Sequence, residues 1–319
     1  DLPIINGVSG SFEAGKSTLV LGPPGCGVTT LFKILSGRAK VGGPRKLSGD
    51  IFYSGFRPED LHVRKLSTYV DQNDNHIPVL TVRETLQFAY NCFGGPDSAQ
   101  KAIDKVGISP EASDEDVQRV RDEFENFPDF VIRNLALSNA ADTIVGNDLL
   151  RGVSGGEKKR VTSAEMMMAR RPLAFYDQIS TGLDSSATFD ICRRITGVAK
   201  RLDLTPVCAL LQPPPETYAL FDEIMVLALG YVVYHGPREN VLPYFESIGF
   251  TCPEEMDVAD FIQEVTTPDR QFYQTRPDAP ADEKAMADAW AESPFSERQR
   301  TAMERYCNPD NVIDSDMRR

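Results

Sequence analysis

A run of glycine and proline between an apolar strand and an amphipathic helix constrains this chain more than any other feature. The segment Thr18-Leu-Val-Leu-Gly22 has an unbroken apolar character, which predicts a buried β-strand. The next segment, Gly22-Pro-Pro-Gly-Cys-Gly27, can form neither helix nor strand. Residues Thr29–Ser36 then have the apolar spacing of a helix that ends at Gly37. This order of strand, glycine loop and helix is typical of a loop that surrounds phosphate groups.

The spacing within the loop follows the pattern G-x-x-x-x-G-K-[ST], in which backbone N–H groups and the helix dipole attract phosphate. Gly22 and Gly27 hold the glycine positions, Thr29 holds the position of the Mg²⁺-ligating hydroxyl, and Val28 stands where lysine is usual. The pattern alone also fits a simple turn between a strand and a helix. The predicted nucleotide-binding residues of the loop are Gly22, Pro23, Pro24, Gly25, Cys26, Gly27, Val28, Thr29 and Thr30.

An upstream segment, Gly10-Ser-Phe-Glu-Ala-Gly-Lys-Ser17, matches the same pattern literally. A predicted strand, rather than a helix, follows Ser17. Without a helix N-terminus, such a loop lacks the free amides and the dipole that bind phosphate. We therefore interpret Lys16 as a solvated turn residue.

Alternating strands and helices predict an α/β fold with a mixed, mostly parallel sheet. We expect short strands within residues 2–22 and 47–72, and buried strands at Leu173–Asp177, Val207–Leu211 and Ile224–Leu229.

Between about residues 81 and 170 the character of the sequence changes to helical spacing. We interpret this stretch as an α-helical subdomain inserted into the α/β core. Its predicted helices are Val82–Asn91, Asp114–Arg133 and Gly156–Ala169.

Composition excludes several classes of function. The chain has 319 residues, with 34 Lys and Arg against 47 Asp and Glu, a net charge of −13 that argues against binding nucleic acid. The longest apolar run, 224–234, is too short to cross a bilayer. Six scattered cysteines indicate reduced, cytosolic thiols, and no signal peptide is visible. Because the chain starts abruptly at a predicted strand and ends in an acidic, polar tail, we expect an excised domain.

A second motif, Val153-Ser-Gly-Gly-Glu-Lys-Lys-Arg160, opens a predicted helix with Ser154 as its N-cap, followed by Gly155 and Gly156. A capped helix start alone would explain it. In its order after the phosphate loop, however, it resembles the signature motif of the ATP-binding-cassette (ABC) transporters, which implies a P-loop NTPase core with an inserted signature subdomain. The resemblance implies ATP and Mg²⁺ as ligands. It also implies that Asp177 is the Walker B carboxylate, and that Gln72 is the Q-loop residue near the metal.

Further segments are similar to the first cassette of pleiotropic-drug-resistance transporters, the full-size ABCG subfamily. These are residues 178–184, 211–218, 234–240 and 257–265. The resemblance covers about residues 2–268, and we place the nucleotide-binding domain at residues 1–268. It implies that residues 269–319 form an extension toward a transmembrane domain, and that the domain lies on the cytoplasmic face of a membrane.

Three positions depart from the hydrolytic pattern of that family. Val28 replaces the phosphate-contacting lysine, Gln178 replaces the glutamate that polarises water, and Leu211 replaces the switch histidine. These changes remove a cation, a general base and a γ-phosphate sensor. We expect a site that holds Mg-ATP and hydrolyses it very slowly.

Because ABC domains act as head-to-tail pairs, the resemblance implies that Ser154, Gly155 and Gly156 complete the site of a second nucleotide-binding domain. Two alternatives stay open. One is a non-hydrolysing regulatory module that does not bind nucleotide, which a measurement of nucleotide affinity would distinguish. The other is a soluble, non-transport ABC ATPase that acts on ribosomes or DNA, against which the acidic charge argues.

Overall fold

A computed structural model describes residues 3–43, 46–72, 74–95, 126–169 and 171–307. The chain divides into two compact units. We call residues 1–71, 172–181 and 188–319 the sheet unit, and residues 72–171 and 182–187 the helical unit. The predicted division into a cassette over 1–268 and an extension over 269–319 stays a prediction.

The described part of the sheet unit contains one six-stranded sheet with the order β2-β3-β4-β1-β5-β6. Strands β1 to β5 are parallel, and β6 pairs antiparallel with β5. Most strand residues are buried, which explains their nearly continuous apolar runs. The strands are β1 Thr18–Leu21, β2 Ser67–Val70, β3 Leu173–Asp177, β4 Thr205–Ala209, β5 Glu223–Ala228 and β6 Tyr231–Pro237.

This mostly parallel sheet with helices confirms the predicted fold class, although several strand predictions were wrong in extent. Among the described residues, only β1 lies within 2–22, and only β2 lies within 47–72. Gly49, Ser54 and Gly55 have positive φ angles of 106°, 50° and 87°, so the chain there turns instead of extending. Strand β4 begins and ends two residues earlier than predicted, and it leaves Leu211 outside the sheet.

Strand β6 was not predicted, because β5 and β6 form one continuous apolar run in the sequence. A two-residue turn divides this run, with Ala228 paired to Tyr231 and positive φ angles of 45° at Leu229 and 82° at Gly230. Positive φ at both central residues matches the right-handed twist of a tight β-hairpin.

Helices connect most of the strands and also occur in the helical unit, which in its described part contains no named strand. They are α1 Val28–Leu35, α2 Val63–Leu66, α3 Val82–Cys92, α4 Phe127–Asn134, α5 Gly155–Met167, α6 Ser185–Leu202, α7 Pro215–Tyr218, α8 Val241–Ser247, α9 Val258–Val265, α10 Glu283–Glu292 and α11 Glu297–Cys307. Within the described ranges, no helix is both long and apolar enough to span a membrane.

The helical unit has its own core, made of apolar side chains from α3, α4 and α5. Leu86, Val131, Leu135 and Val161 are fully buried there, and Met168 packs beside them. The predicted helices over 82–91 and 156–169 match α3 and α5. Most of the predicted helix over 114–133 lies outside the described residues, and α4 covers only its end.

Candidate functional site

The phosphate loop connects β1 to α1, as its sequence predicts. A side-chain carbon at Gly22 would lie 2.1 Å from the Leu227 carbonyl oxygen, so only glycine fits there. Gly27 has a φ of 108°, a conformation that L side chains rarely adopt. Steric constraints therefore require glycine at both positions. The two glycines determine the shape of the loop that precedes Val28 and Thr29.

The middle of the loop is held against the β5–β6 turn. The Gly230 N–H donates to the Cys26 carbonyl at 2.9 Å, and the Cys26 N–H donates to the Pro23 carbonyl at 3.1 Å. Burial raises the pKa of the Cys26 thiol, which keeps the thiol neutral. This residue packs within the loop and carries no charge toward a ligand.

Helix α1 begins with Val28 and Thr29. Its N-cap, Gly27, provides no side-chain hydrogen bond, and its first turn, which is fully described, contains no acidic residue. The first amides of a helix lack partners within the helix and attract anions. The start of α1 is therefore suited to a phosphate group, even though Val28 adds no cation.

Asp177 ends β3 and is only 2% exposed. Its Oδ2 atom accepts a hydrogen bond of 2.8 Å from the Tyr69 hydroxyl. Its Oδ1 atom is buried and has no hydrogen-bond partner among the described residues. Burial and the bond to Asp177 raise the pKa of Tyr69, so its hydroxyl stays protonated and donates. A buried carboxylate oxygen without a donor is suited to a cation.

The residues at this edge fit Mg²⁺ bound together with a nucleotide. Strands β1, β3 and β4 are parallel neighbours, so their carboxyl ends lie along one edge. Asp177 and Thr29 supply oxygen ligands of the kind that Mg²⁺ prefers. No three His, Cys, Asp or Glu side chains cluster as metal ligands in the described chain, so phosphate oxygens would complete the coordination.

Gln178 follows Asp177 directly and has a φ of 52°, which is unusual for a residue other than glycine. Its N–H donates to the Ala209 carbonyl at 3.0 Å, and its own carbonyl accepts from the Thr181 N–H at 3.1 Å. These two hydrogen bonds hold Gln178 in its strained backbone conformation at the end of β3. The side chain at this position is an amide, which cannot serve as a general base.

Leu211 follows β4 at the same edge of the sheet and is half-buried. Its carbonyl oxygen accepts a hydrogen bond from the side-chain amide of Gln263 on α9. Gln263 was not predicted to contact Leu211, because no local sequence pattern connects positions 52 residues apart. Leu211 itself offers no imidazole.

The signature segment lies in the helical unit, where it begins α5. Ser154 caps the helix as predicted, because its hydroxyl accepts from the Glu157 N–H while the Ser154 N–H donates to the Glu157 carboxylate at 2.8 Å. These bonds from Ser154 lower the pKa of Glu157. A side-chain carbon at Gly155 would meet no described atom within 4 Å, so packing within the described residues does not require that glycine.

Gln72, a predicted metal-site residue, also belongs to the helical unit. Its carbonyl accepts a hydrogen bond from Lys159 of α5, and Lys159 forms an ion pair of 3.1 Å with Asp74. Thr162 donates to the same carboxylate and bonds His76 at 2.8 Å. This network was not predicted from the sequence, since it joins two segments about 87 positions apart.

The upstream segment Gly10–Ser17, which matches the phosphate-loop pattern literally, is followed by a strand and not by a helix, as predicted, because β1 begins at Thr18. Lys16 differs from the prediction of a solvated residue. It is half-buried and forms ion pairs with Glu13 and with Glu223, the latter at 3.7 Å. The Lys16 ammonium is therefore paired with acidic side chains of the same unit instead of being fully solvated.

Comparison with known proteins gives two family matches. Residues 5–180 match the family described as ABC transporter, and residues 211–271 match the family described as ABC-2 type transporter. The first match covers more than half of the chain.

Plant transporters are among the similar curated proteins. ABC transporter G family member 31 of Arabidopsis thaliana is 44% identical over 291 residues, and pleiotropic drug resistance protein TUR2 of Spirodela polyrhiza is 43% identical over 289 residues. Each alignment covers 88% of this chain, which spans about a fifth of the length of these relatives.

Solved structures with a similar fold include an ATP-binding cassette of an ABC transporter in its ADP conformation, with a TM-score of 0.55 and 20% identity. That match covers 75% of this chain and 89% of the other. CbiO1 of Clostridium perfringens, part of the ABC transporter complex CbiONQ, gives a TM-score of 0.56, also at 20% identity, and the match covers 77% of this chain and 86% of the other. These likenesses support the fold.

Proposed function

Because the chain belongs to the ABC transporter family, we propose that it is the first ATP-binding domain of an exporter of the pleiotropic-drug-resistance type. In that role it couples ATP binding, and hydrolysis within its pair, to transport across a membrane. The observation that carries the proposal is the uncapped start of α1 at the same sheet edge as the orphaned Oδ1 atom of Asp177. The two features suit the phosphates and the Mg²⁺ of one nucleotide.

In this proposal, different residues bind the phosphates and the metal. The loop amides and the first turn of α1 bind the phosphates, and Thr29 and Asp177 hold the metal. When bound, Mg²⁺ neutralises phosphate charge. Gln178 and Leu211 stand where the family places its general base and its switch histidine, so we infer that water is not activated at this site.

The signature segment serves a different site in this proposal. Because no described atom lies within 4 Å of a side-chain carbon built at Gly155, a phosphate of a second nucleotide-binding domain could approach the backbone and the start of α5. The two domains then form a head-to-tail pair with one active site and one silent site. A transmembrane domain of the same transporter is the second partner, and the cassette lies on the cytoplasmic face of the membrane.

Two other functions make predictions that differ from this one. A regulatory module that has lost its nucleotide would show no ATP binding with or without Mg²⁺. A non-transport ATPase would bind ribosomes or DNA, which the net charge of −13 disfavours.

The test compares the full 319-residue chain with the triple variant V28K/Q178E/L211H, by titration with a fluorescent ATP analogue and by phosphate release. We expect the natural chain to bind Mg-ATP without appreciable turnover. The restored lysine should strengthen binding about tenfold to a hundredfold, since a hydrogen bond to a charged group contributes about 1.5–3 kcal/mol. Turnover should rise only modestly without the partner domain.

The variant V28M is the matched control, because it adds length without charge and should leave the affinity near that of the natural chain. Substantial Mg²⁺-dependent turnover by the natural chain alone would contradict the silent site. Absence of nucleotide binding would favour the regulatory module.

A further inference from the structure

Tyr69 reaches Asp177 because of the register between β2 and β3. The parallel pairing sets Tyr69 beside Phe175, and Asp177 lies two residues further along β3 on the same face. Such diagonal neighbours are within reach of an aromatic side chain. The Tyr69 hydroxyl accordingly lies 2.8 Å from Asp177 Oδ2.

This bond makes the two oxygens of Asp177 unequal. Oδ2 has a donor, whereas Oδ1 is buried without any hydrogen-bond partner among the described residues. A carboxylate with one anchored oxygen cannot rotate freely about its terminal bond. The unanchored oxygen is therefore the one available to a cation.

Lys33 adds a charge to the same arrangement. Its ammonium lies over the Tyr69 ring, 5.7 Å from the centroid. Its neighbour Phe32 packs on Phe175 of β3 with ring centroids 5.2 Å apart, which holds α1 against this part of the sheet. A cation over an aromatic face draws electron density from the ring and strengthens a phenol as a hydrogen-bond donor.

We propose that Tyr69, supported by Lys33, is a positioning residue that reserves Oδ1 of Asp177 for the metal of a bound Mg-nucleotide. The proposal rests on the proposed function, since it takes Mg-nucleotide as the ligand. Tyr69 acts only through Asp177. Its effect therefore falls on the metal-dependent part of nucleotide affinity and not on the part that the loop amides provide.

The test uses the full chain, Mn²⁺ as the metal probe and adenylyl imidodiphosphate as the nucleotide. Electron paramagnetic resonance of free Mn²⁺ measures metal affinity, and a titration in EDTA measures nucleotide affinity without metal. Y69F deletes only the hydroxyl. We expect it to weaken Mn²⁺ binding about 10- to 100-fold, as is typical when a group that orients a metal ligand is lost, and to leave affinity in EDTA unchanged.

Y53F is the matched control. Tyr53 donates to the Leu35 carbonyl at 2.7 Å, at the other end of α1, so its hydroxyl has a similar bond away from Asp177. We expect Y53F to change neither affinity. In the background of D177A, Y69F should have no further effect on Mn²⁺ affinity, because the carboxylate that Tyr69 anchors is gone.

K33M tests the same proposal with a second variant, because it removes the cation over the Tyr69 ring and keeps the Tyr69 hydroxyl. Position 33 is partly exposed, so we expect this substitution to leave the fold intact. It should reduce Mn²⁺ affinity by about two- to fivefold, and it decides the question if Y69F fails to fold. Unchanged Mn²⁺ affinity in folded Y69F, or an equal loss in EDTA, would overturn the proposal. If the natural chain binds no nucleotide under any condition, the proposed function itself falls.

Discussion

At the scale of single residues, Val28 in the phosphate loop shows that a backbone amide can contribute to phosphate binding even where the side chain cannot. Val28 lacks an ammonium group, yet its N–H belongs to the uncapped first turn of α1. Loss of a charged hydrogen bond weakens binding by about 1.5–3 kcal/mol, whereas loss of a positioned base slows a reaction by about 10²–10⁴-fold. The substitutions at Val28 and Gln178 should therefore reduce turnover far more than binding.

Glu223, at the start of β5, is a second residue whose environment sets its chemistry. It is 1% exposed, and its Oε1 atom lies 2.9 Å from Nη2 of Arg298. Burial, with the charges of Glu13, Asp222 and Glu239, raises its pKa to about 7, although Arg298 and Lys16 act in the opposite direction. The folded protein therefore keeps this proton to a higher pH than the unfolded chain does.

This shift predicts a pH dependence of stability. Below a pH of about 4.5 both states hold the proton, and between 4.5 and 7 only the folded state does, so the unfolding free energy falls as the pH rises. Relative to E223Q, the natural chain should lose on the order of 2 kcal/mol over this window. Urea unfolding at pH 4.5, 6 and 8 measures the difference. E216Q, which changes an exposed carboxylate on α7, should follow the natural chain.

At the scale of elements, α5 is tied to the segment after β2 by the network of Lys159, Asp74 and Thr162. The Lys159 side chain is 6% exposed and the Asp74 side chain 17% exposed. Because these charges are removed from water, each depends on the other, and removal of one leaves the other unpaired. The segment that contains Gln72 thus depends on α5 for its conformation.

K159M should lower the unfolding free energy by about 3 kcal/mol, because it leaves Asp74 buried without its cation. Hydrogen exchange should rise in residues 74–80 and in α5. K158M changes the adjacent, more exposed lysine of the same helix and should stay within about 0.5 kcal/mol of the natural chain. Equal stability of the two variants would show that the buried pair contributes nothing.

The elements also differ in how far their sequences predicted them. Helices α1, α3 and α5 carry their own signals, a glycine stop or a cap followed by apolar spacing, so their positions could be predicted to within a residue or two. Strand β6 carries no separate signal, because its partner β5 is equally apolar and only the turn at Leu229 and Gly230 divides them. The bond between Gln263 and the Leu211 carbonyl depends on how α9 packs, which no local pattern contains.

At the scale of the whole molecule, helices α10 and α11 pack against the strands and helices of the sheet unit. Trp290 of α10 packs on Tyr234 of β6 and on Tyr244 of α8, with ring centroids 4.9 Å and 5.2 Å away. Gln299 of α11 accepts a hydrogen bond of 2.9 Å from the backbone of Ser11. The described part of the C-terminal stretch is therefore integrated into the sheet unit, whatever follows it.

W290A should lower the unfolding free energy by about 3–5 kcal/mol, since it leaves a cavity beside two buried tyrosine rings. W290F keeps an aromatic ring there and should lose less. Urea unfolding followed by circular dichroism measures both variants, and the chain has only one tryptophan, so its fluorescence also reports on this junction in the natural chain. A stability of W290A equal to that of the natural chain would show that α10 packs only loosely.

The sequence by itself determined the parallel α/β core, the phosphate loop and the helix that opens at Ser154. Each of these depends on neighbouring residues, through glycine backbone angles, capping side chains and apolar periodicity. Only the tertiary structure decided that Tyr69 holds one oxygen of Asp177, that Lys159 holds Asp74, and that α10 covers β6. These contacts join distant positions through strand register and helix packing, which are properties of the folded chain as a whole.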